Sequence, residues 1–403
     1  MSMTCVAQKD VGQSDRAPQS VHGLKIQCET NFGSIERRWA ALNEGTGALP
    51  FQRPNWLRNW YQTLGQQSHV TPLLITISDA AQGSDLLALP LCLHIRNGLR
   101  IISFADLGFT DYNAPLMGTS FSMGDDRAKT VLSLLLSHLP KADVLELEKM
   151  PRFIGSSENI FTQLTSTRSK FRGNILDVPH SWDDWHYGLE RTHRKELERS
   201  WRVFNKFPNA LFKHITDRSE AIDVFTQLKR MQAQRIHKSG LDYQLDTPVI
   251  DRFYDNVLLN GLQTGESILT ALTIEGEVVA ALMGLAHGPH YAMVRLGTGD
   301  ERWKTFSPGK LIIERTMRHL HDQGFRKFDF TIGDYAYKRR FKVNQIDLYD
   351  YRHALSLKGQ AYLSLLSLKA ALKSSPLARS TLESVKTIFK RPNPAPVPSG
   401  GEI

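Results

Sequence analysis

The run SILTALTIEGEVVAALMGLAHGPHYAMVRLGTGDERWKTFSPGKLIIERTMRHLHDQGFRKFDFTIGDYAYKRRF, residues 267–341, decides how the rest of the chain is read. Three apolar strand-like runs come first, Ile268–Ile274, Val278–Ala286 and Tyr291–Leu296. Gly276 and the pair Gly288-Pro289 punctuate them, the turn chemistry of antiparallel hairpins. Ser307-Pro308-Gly309-Lys310 then opens a helical pattern that runs through His321 and is closed by Gly324. The short run Lys327–Thr331 reads as a strand, and Gly333-Asp334-Tyr335-Ala336-Tyr337-Lys338 follows it. Meander, loop, helix and strand in this order predict an α/β fold built on mixed sheets.

Working outward, the first half of the chain repeats that order. Strand-like runs at Thr71–Ser78, Leu86–Ile95 and Arg100–Phe104 are separated by Gln82-Gly83-Ser84 and Asn97-Gly98, and Asn-Gly is a strong hairpin signal. A loop carrying Asp111-Tyr112-Asn113, a helix at Asp126–Leu139 and a strand at Asp143–Glu148 follow. Before the strands lies a helix containing Trp56 and Trp60, one turn apart and so on one face. Helices at Ala221–His237 and Pro248–Leu262 precede the second meander in the same way. Between the copies, Trp182–Phe207 reads as one long helix with a basic stripe at Arg191, Lys195, Arg199 and Arg202. The architecture expected is one domain used twice, at residues 24–180 and 181–357. Residues 1–23 are expected to be a disordered start, 358–391 C-terminal helices and 392–403 a disordered tail.

Composition bounds the function. With 403 residues, 41% hydrophobic and 23% charged, the chain has enough material for two cores. The net charge of +9 fits a phosphate-bearing cofactor, an anionic surface or nucleic acid. It is spread along the chain rather than held in a tail, which weighs against nucleic acid. Cys5, Cys28 and Cys92 have neither pairing nor metal spacing, so a reducing, cytoplasmic setting is expected and no metal. Met1–Gly23 lacks the apolar core of a secretory signal. The longest apolar run, near Val131–Leu139, is about half a bilayer span.

A helix start gathers unpaired N–H groups and partial positive charge, and a small-residue loop lets phosphate oxygens come close. Ser307, Pro308, Gly309 and Lys310 supply such a start, with Ser307 as the expected cap and Pro308 at the first helical position. The P-loop pattern is absent, and no Gly-x-Gly-x-x-Gly follows a strand. In the first copy, Asp125-Asp126 would repel a pyrophosphate, so the cofactor is expected in the second. Asp329 and Asp334 flank the end of the last strand, and His193, His214 and His237 have no partner readable from the sequence.

These residues carry a resemblance. The run Phe328–Phe341, with its strand, Gly333-Asp334, Tyr337-Lys338 and Phe341, resembles a bacterial group of GNAT-superfamily acyltransferases described as cellulose-biosynthesis acetyltransferases. That group is related to Fem-type aminoacyltransferases. Phe51–Trp60 and Leu107–Tyr112 are similar to its first domain. The resemblance covers about Phe51–Leu355 and implies tandem GNAT-like domains. It also implies acetyl-CoA or another acyl-CoA as co-substrate, and an amine or hydroxyl acceptor, small or saccharide-linked. In its terms Ser307, Pro308, Gly309 and Lys310 hold the donor. Asp329 or Asp334 is the base or orients the acceptor, Tyr337 protonates the leaving thiolate, and Lys338 holds the oxyanion or an anionic acceptor. Arg191, Arg194 and Tyr112 are expected to contact the acceptor. The usual Arg/Gln-x-x-Gly-x-Gly/Ala loop is degenerate here.

Alternatives are an aminoacyl-tRNA-dependent transferase of Fem type, or a non-catalytic scaffold in a polysaccharide synthase system. The basic helix expected within 377–391 either packs back on the domain or contacts a membrane surface or a synthase complex. A nucleic-acid-binding module ranks behind these, and no DNA partner is expected.

Overall fold

A computed structural model describes residues 20–21, 23–44, 49–118, 127–238, 245 and 247–374. The Asp125-Asp126 pair and the basic segment 377–391 lie outside the described residues, as do most of 1–23 and the tail.

The alternating apolar runs pair into one 14-stranded sheet. Setting aside two-residue strands, the first half supplies β1 (Leu24–Glu29), β2 (Val70–Asp79), β3 (Asp85–Arg96), β4 (Leu99–Phe104), β5 (Val144–Pro151) and β6 (Thr167–Asp177). The second supplies β7 (Leu211–Ile215), β8 (Ser267–Ile274), β9 (Glu277–His287), β10 (His290–Thr298), β11 (Lys327–Asp329) and β12 (Asn344–Ala354). Across the sheet they run β1-β2-β3-β4-β5-β12-β6-β11-β10-β9-β8-β7. The order is a palindrome in which the last strand of each half has crossed over. β12 lies against β5, and β6 lies against β11, while β6 and β12 pair with each other at the centre. The pairs β4–β5 and β10–β11 are parallel, and the other neighbours on this path are antiparallel. The boundary expected at 180/181 therefore divides the chain but not the sheet.

Helices cover both faces. One apolar cluster gathers side chains from α1 (Phe32–Glu44), α2 (Pro54–Gln62), α3 (Arg127–His138), α6 (Arg218–Lys238) and α7 (Pro248–Thr264). The other gathers them from α4 (Trp182–Gly188), α5 (Arg191–Phe204) and α8 (Pro308–Asp322). The one-turn spacing of Trp56 and Trp60 does bury both rings, each at 0% exposure. Trp56 meets Phe253 of α7 edge-on, with ring centroids 4.9 Å apart. Asn55 Nδ2 donates to the Val257 carbonyl at 2.9 Å, so α2 of one half is packed and hydrogen-bonded to α7 of the other.

Two sequence expectations are corrected. Trp182–Phe207 is two helices, because the chain turns extended at Leu189 after Gly188 and restarts at Glu190. Buried Leu189 anchors that break in the second core. The strand expected at Lys327–Thr331 stops at Asp329, since Thr331 takes a left-handed φ of 59°. Strands β1, β6 and β7 carried too little alternation to be read. β6, TRSKFRGNILD, is largely solvent-facing over its first half and has polar residues there.

Candidate active site

Two features of β10 and β11 open a wedge in the sheet. Their pairing is short, from His290↔Lys327 to Ala292↔Asp329. β10 then continues to Thr298 along β9, with a register shift at Met283/Gly284 that leaves Val294 as an extra, bulged residue. On the other side the chain after β11 turns away. Asn174 Nδ2 donates to the carbonyls of Thr331 at 2.8 Å and Gly333 at 2.9 Å, pinning the departing segment to β6. Gly333, at φ 106°, holds a conformation that favours glycine. The wedge encloses a cavity of about 20 Å³ lined by Met293, Val294, Arg295, Phe330, Thr331 and Tyr337.

Farther along β10 the wedge gives way to a cleft of about 470 Å³ at the start of α8. Ser307, Pro308 and Gly309 form one wall, and Arg235 and Lys238 of α6 stand on another. Ser307 occupies the N-cap position in a left-handed conformation and its side chain makes no cap hydrogen bond, contrary to the role expected of it. Without that cap the first-turn N–H groups are left to a ligand or to solvent. The arrangement suits an anion such as a phosphate. Lys310 does not join it. Its ammonium is 2.7 Å from Glu196 of α5, which Arg340 also pairs at 2.8 Å. The cationic walls come instead from Arg235 and Lys238, which the sequence did not single out; Lys304 also lines the cleft, ion-paired to Glu301.

Asp329 sits where β10 and β11 part. Its carboxylate is buried at 0% exposure. Oδ1 accepts from the Tyr112 hydroxyl at 2.8 Å and from the Thr331 N–H at 2.7 Å. Tyr112, from the first half, reaches it across Gly173, where an added Cβ would lie 2.5 Å from the phenol oxygen. Burial, with the neighbouring Asp329 charge, pushes the Tyr112 phenol well up, so it stays a donor. Tyr337 lines the wedge, and burial raises its phenol too. A protonated hydroxyl beside the wedge has the chemistry for donating to a leaving group.

The remaining expected residues have other positions. Lys338 is buried, and its ammonium donates to the carbonyls of Phe330 at 2.5 Å and Ile332 at 2.7 Å. Burial lowers its pKa to about 8. It fastens the turn after β11 rather than reaching toward an acceptor. Asp334 is exposed and ion-paired to Arg339, away from the wedge. Arg194 stacks over Tyr187 at 5.5 Å and donates to its carbonyl at 3.0 Å. Arg191 is exposed on the same helix, and neither arginine lines the wedge or the cleft.

The equivalent parting of β4 and β5 is occupied by protein. Pairing ends at Ser103↔Glu146, and the loop carrying Asp106–Asn113 enters beyond it. Asp106 pairs with Lys149 at 2.7 Å, and Asn113 N–H donates to the Lys149 carbonyl at 3.1 Å. Beside them is a polar cleft of about 430 Å³ that includes Asp111. Burial pushes Asp111 up to about 6, against the pull of Lys149. Among the described residues no cluster of side chains suits a metal ion.

Residues 191–339 match the family described as acetyltransferase (GNAT) domain. That stretch holds the wedge, α8 and the turn after β11, and marks a GNAT-like acyltransferase. Fold comparison gives the structure of FemX at 12% identity, covering 82% of this chain and 98% of that one, with a TM-score of 0.56. The C-terminal domain of a putative lysylphosphatidylglycerol synthetase from Agrobacterium fabrum aligns over 83% of this chain and 97% of its own, at 11% identity and TM-score 0.49. A tandem GNAT protein from the clavulanic acid pathway aligns over 83% and 99%, at 10% identity and TM-score 0.43. No curated protein matches the chain in sequence.

Proposed function

We propose that this chain is an acyltransferase of two GNAT-like halves, of which the second binds an acyl-CoA. The observation that carries the reading is the parting of β10 and β11 beside an uncapped helix start. The diphosphate would lie at Ser307, Pro308 and Gly309, its charge balanced by Arg235 and Lys238. The thioester arm would enter the wedge with the acyl carbon near Asp329. An amine or hydroxyl then attacks that carbon, the C–S bond breaks, and Tyr337 protonates the departing sulfur. The palindromic strand order supports the tandem reading. The acceptor is read as small or saccharide-linked, in envelope or exopolysaccharide synthesis, and the setting as cytoplasmic. Among the described residues no helix is long and apolar enough to cross a membrane.

A second donor has an observation in its favour. The FemX likeness extends over 82% of the chain, whereas the acetyltransferase match is confined to 191–339. On that ground an aminoacyl-tRNA of the Fem-type reaction is the better supported alternative to a cellulose-linked acetyl transfer. Calorimetric titration with acetyl-CoA and longer acyl-CoAs, beside Gly309→Glu, tests the first donor. Binding by the wild type that is lost in the variant supports it. Absence of binding to every acyl-CoA, with transfer from charged tRNA, would replace it by the second.

A further inference from the structure

His290 was not among the histidines weighed from the sequence, yet it stands beside the buried carboxylate of Asp329. Its Nε2 is 3.4 Å from Asp329 Oδ2. Both atoms are buried and neither has a hydrogen bond. A buried carboxylate oxygen left unsatisfied is costly and calls for a reason. The strand register supplies a setting. Residues directly opposite each other share a face of the sheet, and successive residues alternate. Ile175 is opposite Asp329, and His290 is opposite Lys327, so all four face the same way. Phe330, one residue after Asp329, and Met293, three after His290, line the wedge from the other face. On the Asp329 face lies a cavity of about 390 Å³ lined by Tyr112, Ile175, His290, Lys327 and Ile346. Asp329 lines neither, but it stands between them, next in sequence to Phe330 of the wedge and with Oδ2 against His290 of the cavity.

We infer that this cavity receives the acyl acceptor and that His290, oriented by Asp329, takes the acceptor's proton. The inference rests on the acyl-donor reading above. In its neutral form the imidazole gives its Nε2–H to Asp329 Oδ2, which leaves the Nδ1 lone pair for the acceptor. Tyr112 and the Thr331 N–H hold the other carboxylate oxygen, so Asp329 is a positioning residue. The acceptor's nitrogen or oxygen bonds to the acyl carbon as its proton passes to Nδ1. The C–S bond breaks and the sulfur is protonated by Tyr337. Solvent then removes the proton from His290 and restores that of Tyr337. Lys327 is exposed at the rim and makes no ion pair among the described residues, whereas the cavity's other charged lining is paired, Arg152 with Glu158 and Asp347 with Arg168 and Arg172, so the acceptor class is an amine or alcohol carrying an anionic group.

Histidine-¹⁵N spectra of the full chain, assigned with His290→Gln, read the tautomer directly. The expected neutral form carries its proton on Nε2, and Asp329→Asn abolishes that preference. Thiol release from acetyl-CoA with no acceptor added is the second readout, because water then fills the cavity. His290→Gln is expected to slow release about 100-fold, the scale of a lost general base, with the acetyl-CoA Kd unchanged. A proton on Nδ1 in the neutral form, or unchanged release with donor still bound, overturns the assignment. O-phosphoethanolamine is expected to shift the His290 signals where ethanolamine does not, and Lys327→Glu to remove the difference. Equal or absent responses overturn the anionic class. If acetyl-CoA binds neither the wild type nor His290→Gln, the donor reading has failed, and the tautomer alone decides the dyad.

Discussion

Single atoms decide what each polar residue here is able to do. Lys338 looks in sequence like a group for holding charge, but its ammonium already has carbonyl partners at 2.5 and 2.7 Å. Asp329 keeps one oxygen for the protein and leaves the other unsatisfied. Gly309→Glu places a carboxylate where an anion is expected, and should weaken acyl-CoA binding at least tenfold in calorimetry, with a cooperative thermal transition checking that the variant still folds at this buried position. Asp111 gives a prediction in pH. Its pKa is raised from 3.8 to about 6, so between those values the folded state holds more protons than the unfolded one. Stability conferred by the protonated carboxyl is therefore present below about pH 4 and is lost as pH rises toward 6. Asp111→Asn should flatten that part of the stability curve, read from urea midpoints across pH 4–6.5.

At the scale of elements, local pattern carried much of the reading. Glycine-punctuated apolar runs gave β8, β9 and β10, and Ser307-Pro308-Gly309 gave the start of α8. What stayed hidden was set by pairing between distant segments. β6 has few apolar residues because its outer part faces solvent, and its partners lie more than a hundred residues away. The His290–Asp329 approach depends on a parallel register, which no local periodicity encodes. Asn174 shows how such an element works, since one amide on β6 keeps the segment after β11 away from β10. Asn174→Ala leaves two carbonyls without this donor and should cost about 1–3 kcal/mol in urea unfolding. It should also lower acyl-CoA affinity, because the wedge is then free to close. At the helical seam, Trp56→Ala removes a fully buried ring and should cost about 3–5 kcal/mol by the same measurement.

Across the whole molecule the two halves are bound by exchange. β12 fills the edge of β5, and β6 fills the edge of β11. A chain split between 180 and 181 should therefore give fragments that aggregate when made alone and form a soluble one-to-one complex when made together, as read by gel filtration. Unpaired strand edges are the cause, because each fragment bares one where its partner's strand belongs. The crossover also has a consequence in time. A growing chain reaches residue 180 with β5 exposed, and it must finish β12 at Ala354 before that edge is covered. Tyr112 waits equally long for Asp329. The acidic group at the wedge and the phenol that steadies it are thus separated by most of the interval of synthesis. A ribosome-bound first half carries a bare strand edge, open to pairing with other chains, until the last strand of the sheet is made.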